Sequence, residues 1–596
     1  LHDGLATVVV NLPEIYNEFS SGSQDVTAIR DFIKMLYDRS ASGKKLQYVL
    51  LFGDGSYDMK NRVSPNTNFI PTYQSTESLG ITSSYVTDDY YGLMNWYEGK
   101  DAFGALDIGI GRFPVKDIEE ATTAVDKVAH YYTNSSQTMG DWRNKICLVA
   151  DDEDNNLHFN QAEEFAQIVD SSYHNININK IYLDSYRQVK GTKNDEYPDV
   201  TKAINKQVNQ GALIMNYTGH GGEVGWAEER VLTIKDINSW TNYDHMPLFF
   251  TGTCEFSNYD NPSSTSAGEL VFLNAHGGGI AILTTTRVAF AQYNKLLNQR
   301  FYKNVFENYQ SGHYRLGDLI RLAKNPPATN FLNFTLLGDP ALQLAYPEYK
   351  VITTQINGKN VNEIADTLHS LSRVSISGEI QDTSGNKITQ FSGTLHTKVF
   401  DKPVQYFTLG NDFRSIPAPF LLQNNLLYDG KTEVKNGAFT FEFVIPRDAA
   451  LNYGYGKISY YANDSSNDAT GYDENFVVGG LDPNPIADNK GPDIQLYMND
   501  TSFINGDVIG ENAILFANLS DSVGINTLGS GLGHDIMAVV DGDENNPIIL
   551  NDSLQTNSPG FRYGTIALSF KNLDEGLHTI KLKAWDLYNN SSESSV

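Results

Sequence analysis

Two short apolar runs, each ending in glycines and a side chain capable of nucleophilic or acid–base chemistry, constrain this chain more than anything else in it. Residues 212–217 (ALIMNY) and 247–253 (PLFFTGT) have the length and the β-rich composition of buried strands. The first runs into T-G-H-G-G, which carries His220, and the second into T-G-T-C, which carries Cys254. In an open α/β sheet, ligands lie outside the carboxyl ends of the parallel strands. If the two runs are neighbours, an imidazole and a thiol meet at one edge. The glycines around His220 let backbone approach a substrate closely and leave N–H donors unobstructed. That is the layout of a Cys–His dyad. The competing readings are a structural histidine at a glycine turn and a buried, inert cysteine.

A cysteine attacks as its thiolate, and an adjacent imidazole lowers the thiol pKa toward about 4–7. His220 then activates Cys254 and later protonates the leaving amine. The backbone N–H groups of Gly221 and Cys254, both just past strand ends, are the candidates for an oxyanion site. A third, acidic group should orient the imidazole. The run Asp151, Asp152, Glu153, Asp154 closes the apolar strand KICLVA, and Glu153 is the first choice and Asp152 the second. Consecutive acids also hold hard cations, so Asp151 and Asp154 are candidate calcium ligands, as are Asp88 and Asp89 in YVTDDYYG, although the spacing matches no EF-hand. Glu223, Trp226, Glu228 and Glu255 flank the two tips and are candidates to line a substrate cleft. Trp226 serves equally well as packing under a loop. There is no H-E-x-x-H, C-x-x-C or P-loop, and the expected cofactor requirement is none beyond that structural calcium.

The 596 residues exceed one core, and strand–helix alternation up to about residue 345 gives way to short alternating runs between NG, DG and SG turns. The expected organisation is an α/β subdomain at 1–144, a catalytic α/β subdomain at 145–345, and β-sandwich modules at 346–482 and 483–596. Within the first, TVVV reads as a strand and residues 25–40 as a helix. The β modules read as spacers or docking surfaces. A formal charge of −28 argues against a nucleic-acid partner. The two cysteines, Cys147 and Cys254, make no disulfide framework, and a bridge between them would remove the nucleophile. No run reaches the length of a membrane helix, and no signal peptide is present. The chain reads as an internal portion of a longer one.

At NYTGHGG, FFTGTCEF and the closing LLGDPAL the chain resembles the gingipain-type cysteine peptidases, whose fold is caspase-like. The resemblance places the family histidine on His220 and the family cysteine on Cys254. It implies a caspase-like catalytic unit followed by immunoglobulin-like sandwich modules. EIYNEFSSGSQDVTAIRDF, NYTGHGGEVGWAEERVLT and YDGKTEVKNGAFTFEFVIPRD look closer to the branch that serves as signal peptidase of type IX secretion in Bacteroidota. That implies a surface-exposed, outer-membrane-associated sortase. It would remove the C-terminal signal domain of secreted cargo and pass the acyl group to an amine of anionic lipopolysaccharide, alongside attachment-complex proteins (PorV-like). An endopeptidase that only hydrolyses is the alternative, and a non-catalytic adhesin or scaffold is the rival from another class.

Overall fold

The computed structural model describes residues 4–41, 45–191, 194–309, 312–361, 366–485, 487–527, 534–556 and 562–596. It divides into two compact units, one of residues 1–346 with 407–420 and one of residues 347–406 with 421–596.

The first unit is built on one eight-stranded sheet. Its strands are β1 (Tyr48–Phe52), β2 (Gly109–Phe113), β3 (Lys145–Ala150), β4 (Asn177–Tyr182), β5 (Ile214–Thr218), β6 (Leu248–Gly252), β7 (Ala281–Thr285) and β8 (Phe334–Leu337). They lie in the order β1-β2-β8-β7-β6-β5-β3-β4. From β7 through β6, β5 and β3 to β4 every pairing is parallel, and β8 runs antiparallel to β7. Strands β5, β6 and β7 are buried along their whole length. This explains why they read as unbroken apolar runs: a parallel sheet covered on both faces has no polar side to display. The helices that cover it carry their own stop signals. Val26–Arg39 begins where the Asp25 carboxylate accepts from the Thr27 N–H at 2.7 Å, and Ile118–Tyr131 begins where Asp117 accepts from Glu120. TVVV, expected as a strand, is not one. Val8 and Val9 are 76 and 90 % exposed, and residues 7–10 pair with no strand among the described residues.

Asp88 and Asp89, proposed above as calcium ligands, have protein cations instead. Arg112 on β2 is fully buried and binds both oxygens of Asp88, at 2.7 and 2.8 Å, while its remaining nitrogen donates to the Gly53 and Ile70 carbonyls. Lys324 reaches both oxygens of Asp89 at 2.7 Å. A carboxylate pair neutralised in this way has no lone pairs turned toward a metal.

The second unit is all β. Leu426–Val434, Gly393–Phe400, Lys457–Asn463, Asp468–Asp473, Tyr349–Ile356, Arg373–Gln381 and Ala438–Val444 form one sheet in that order, next to a small sheet of Asp366–Ser370, Phe476–Leu481 and Gly454–Tyr455. Strict alternation shows in Arg373–Gln381, where Val374, Ile376 and Ile380 point inward. Residues 493–595 form two four-stranded sheets around Leu515, Ala517, Ala538, Ile566, Leu582 and Ala584. Both are sandwiches of the expected kind.

Breaking a buried charge pair costs about 3–5 kcal/mol because the surviving charge is left without a partner. Arg112→Met should therefore lower the stability of the first unit by about that much, read as a fall in the urea midpoint of its unfolding. A loss below about 1 kcal/mol would mean that the pair is not what holds the 53–88 loops to the sheet.

Candidate active site

Register does most of the assembly. Ala150 on β3 pairs across to Thr218 on β5, and Thr218 pairs to Gly252 on β6. One residue further on come Asp151, Gly219 and Thr253, and two residues on come Asp152, His220 and Cys254. Neighbouring strands lie about 4.8 Å apart. The histidine and the cysteine therefore leave the sheet from adjacent positions on the same edge. The tips are packed backbone against side chain: a Cβ on Gly221 would fall 2.6 Å from the Thr253 hydroxyl oxygen. On the far side of Gly221 a hairpin pairs Gly221 with Trp226, and Ala227 donates to the His220 carbonyl at 2.9 Å.

The imidazole is set from below by a buried carboxylate. Asp151 Oδ2 accepts from the His220 backbone N–H at 2.7 Å, and Asp151 Oδ1 accepts from the Asp152 N–H at 3.1 Å. Gly219 between the strands has φ +158°, and a Cβ there would collide with Asp151 and with the Tyr217 hydroxyl, so only glycine fits. Tyr217 donates to the His220 carbonyl at 2.6 Å.

The imidazole's acidic partner is not the residue expected. His220 Nε2 lies 3.0 Å from Asp154 Oδ2 and 3.4 Å from Glu153 Oε2. Asp154, offered above as a calcium ligand, is thus the nearer partner and Glu153 the second. Asp152 is removed from the role because its carboxylate accepts from the buried Tyr197 hydroxyl at 2.5 Å. Asp154, Asn155 and Asn156 all have positive φ (61°, 57° and 62°), so the start of helix Glu153–Ser172 bends back and turns Asp154 toward the histidine. Asp and Asn tolerate this left-handed region better than other non-glycine residues, which is the one sequence signal that could have located the bend.

A strap of residues 407–420 holds the bend. The Asn156 side chain donates to the Ile416 carbonyl and accepts from the Ile416 N–H, both at 2.9 Å, and Ser415 donates to the Asp152 carbonyl at 2.6 Å. At the tip of β4, the Asp184 carboxylate accepts from the Gly410 and Asn411 N–H groups at 2.9 and 2.7 Å. Nothing in the sequence pointed to this strap, because its contacts join positions more than 200 residues apart.

Cys254 is half-buried and free, and Cys147 is buried and free, so no bridge occupies the thiol. The sulfur rests 3.5 Å from both the N–H and the carbonyl of Ala289, on the loop after β7. Burial pushes the Cys254 thiol up, the Ala289 N–H pulls the other way, and the nearby Glu255 carboxylate adds to the rise. This runs opposite to the expectation of a thiol lowered by its histidine.

Of the cleft candidates, Trp226 is fully buried and stacks on Tyr217 with ring centroids 4.4 Å apart, so it packs the His220 hairpin against the sheet and lines no cleft. Glu223 stays at the surface of the tip, accepting from the Asn258 amide at 2.6 Å. Glu255, in the left-handed region at φ 49°, is half-buried and held above the usual carboxylate range by burial, with Arg287 opposing and Glu223 reinforcing. A cluster that sequence reading missed is Asp151, Asp152 and Glu229, whose carboxylate oxygens lie within 4.8 Å of one another. Burial raises all three, Glu229 to about 7.

Comparison with known proteins shows the family. The model of peptidase family C25 matches residues 2–345. Gingipain R2 of Porphyromonas gingivalis is 28 % identical over 228 residues, 38 % of this chain and 26 % of that protein. Gingipain R1 of the same species is 28 % identical over the same length, 19 % of that protein. The chain thus spans about a quarter or less of the length of these relatives. Among solved structures, dimeric latent PorU from Porphyromonas gingivalis is 28 % identical, covers all of this chain and 51 % of its own, and superposes with a TM-score of 0.37. The Arg-specific cysteine proteinase gingipain R is 16 % identical, covers 78 % of this chain and 90 % of its own, and has a TM-score of 0.43.

A Cys254 thiol pushed up by burial predicts iodoacetamide labelling that climbs about tenfold per pH unit from pH about 6 into the alkaline range, with Cys147 unlabelled in the folded chain. A rate flat across that interval would reveal a preformed thiolate–imidazolium pair. Between its ordinary value of 4.5 and about 7, Glu229 holds a proton in the fold that it would lose in the unfolded chain, so the fold loses stability as pH rises through that window. Glu229→Gln should flatten the decline of melting temperature there, and an unchanged slope would remove Glu229 as its cause.

Proposed function

Because this chain belongs to peptidase family C25, we propose that it is a cysteine peptidase whose nucleophile is Cys254 and whose acid–base group is His220. The observation that carries this reading is the Thr218–Gly252 register, which sends the two side chains off one sheet edge from adjacent strands.

The steps follow from the groups at that edge. With Nε2 held by Asp154 and Glu153, Nδ1 is the nitrogen that takes the thiol proton. The Cys254 sulfur attacks the scissile carbonyl carbon, and the oxyanion is received by the Gly221 and Cys254 N–H groups. The C–N bond then breaks, His220 gives its proton to the departing amine, and a thioester remains on Cys254. A second nucleophile, water or a primary amine, attacks the thioester while His220 takes its proton, and the C–S bond breaks. In the resting structure the Cys254 sulfur lies against the backbone of Ala289.

The finer reading is a sortase. It removes the C-terminal signal domain of secreted cargo and transfers the acyl group to an amine of lipopolysaccharide, at the outer face of the outer membrane and beside attachment-complex proteins. The sequence resemblance to type IX signal peptidases supports it. So does the open ground at Gly222, where a Cβ would meet no atom within 4 Å and an acceptor has room to approach. No helix among the described residues is long and apolar enough to cross a membrane.

Incubating the chain with a peptide that ends in a cargo tail, with and without a primary amine, tests both levels by mass spectrometry. The expected products are a cleaved tail in either case and an amine-ligated acyl fragment when amine is present. Cys254→Ala should reduce cleavage by about 10⁴-fold or more while the fold is kept. Cleavage that survives this substitution would end the peptidase reading, and hydrolysed product alone at saturating amine would end the sortase reading.

A further inference from the structure

His158 sits where the mechanism has no use for it. It lies one turn beyond the left-handed bend, four residues after Asp154, and its side chain is 4 % exposed. Its ring meets the His220 ring edge to face, with centroids 5.3 Å apart at 86°. Neither of its nitrogens makes a hydrogen bond of good geometry. Buried polar atoms are nearly always paired, so a buried imidazole whose nitrogens have no well-formed hydrogen bond is a candidate to receive a ligand.

What it faces defines what that is. Asp154 Oδ2 is 3.0 Å from His220 Nε2 and 3.5 Å from His158 Nε2, so one carboxylate oxygen is flanked by two imidazole nitrogens. In a tetrahedral zinc site with bonds of about 2.0–2.1 Å, ligand atoms are spaced about 3.3 Å apart. The two separations bracket that edge length. Asp151 stands behind the pair, and Asp151, His158 and His220 each offer a ligand atom within 4.8 Å of the others. Two nitrogen donors and one or two carboxylate oxygens suit zinc or another late transition metal, whereas calcium and magnesium prefer oxygen alone.

We propose that His158, His220 and Asp154 form a reversible binding site for a divalent transition metal of zinc's kind, and that its occupancy withdraws His220 from Cys254. The inhibitory consequence rests on His220 being the acid–base group proposed above; the binding does not. The bend at residues 154–156, held by the Asn156–Ile416 bonds, preforms the site, because it lays Asp154 across both rings before any metal arrives. Zinc would act as a brake: bound, it locks the imidazole lone pair, and its release returns the histidine to the thiol.

The test is calorimetric titration of the full chain, free of tag histidines, with zinc chloride. The expected result is one zinc per chain in the micromolar range, with zinc-edge X-ray absorption of the wild-type complex showing two imidazole ligands. His158→Phe and Asp154→Asn should each weaken binding by at least about tenfold, while Cys254→Ala keeps it. The absorption measurement on wild-type protein stands even where a substitution disturbs folding. Absence of zinc binding up to about 100 μM, affinity unchanged in His158→Phe, a single imidazole at the metal, or loss of binding in Cys254→Ala would each overturn the site. Zinc bound to a chain that cleaves nothing would uphold the site and count against the peptidase reading alone. In an active chain, a chelator should restore cleavage suppressed by zinc.

Discussion

One hydrogen bond between a buried carboxylate and a backbone amide governs the geometry of the whole edge. Asp151 leaves β3 and receives the His220 N–H, and the glycine that precedes the histidine has no side chain because that carboxylate occupies the space. The strand carrying the imidazole is thereby fixed at its last residue, where a strand end would otherwise fray. A side chain can be aimed only as well as its backbone is held, and here the backbone is held from one side by Asp151 and from the other by Tyr217. Cys254 needs no such device, since its strand lies between two partners in register and its tip abuts Gly221.

The surroundings of that bond are unusually acidic for a place that must stabilise negative charge. Asp151, Asp152, Glu153 and Glu229 are all pushed above the ordinary carboxylate range, with burial the largest cause for each. Protonated carboxyls cost less to bury than ionised ones and can still hydrogen-bond. The arrangement keeps the field at the imidazole adjustable: Asp154, the most exposed of the run, is the one turned toward His220.

How much of this the sequence revealed follows from the range of each interaction. Parallel strands covered on both faces must be apolar throughout, so β5 and β6 and the side chains at their tips were legible, as were the change to alternating β runs and the helix begun by Asp25. The choice among four consecutive acids was not legible, because it turns on three left-handed residues that rotate the chain by amounts no periodicity records. The two readings of Trp226, cleft lining and loop packing, were not separable in sequence because a tryptophan near a catalytic tip looks the same whether it stacks on Tyr217 or faces solvent. Asp88 and Asp89 looked like cation ligands because the residues that neutralise them, Arg112 and Lys324, are distant in sequence.

The strap of residues 407–420 has a consequence for where this molecule can be divided. By sequence the α/β part ends near residue 345, yet a fragment cut there would lose the amides that cap Asp184, the hydroxyl on Asp152 and the peptide group that grips Asn156. The excised piece would keep its sheet and both reactive side chains but lack the clasp over its acidic bend. No single cut therefore separates the two parts: residues 407–420 belong with the first unit, while 347–406 and 421–596 belong together in the second, so a cut past Phe420 would part strands Gly393–Phe400 and Leu426–Val434, which pair with each other.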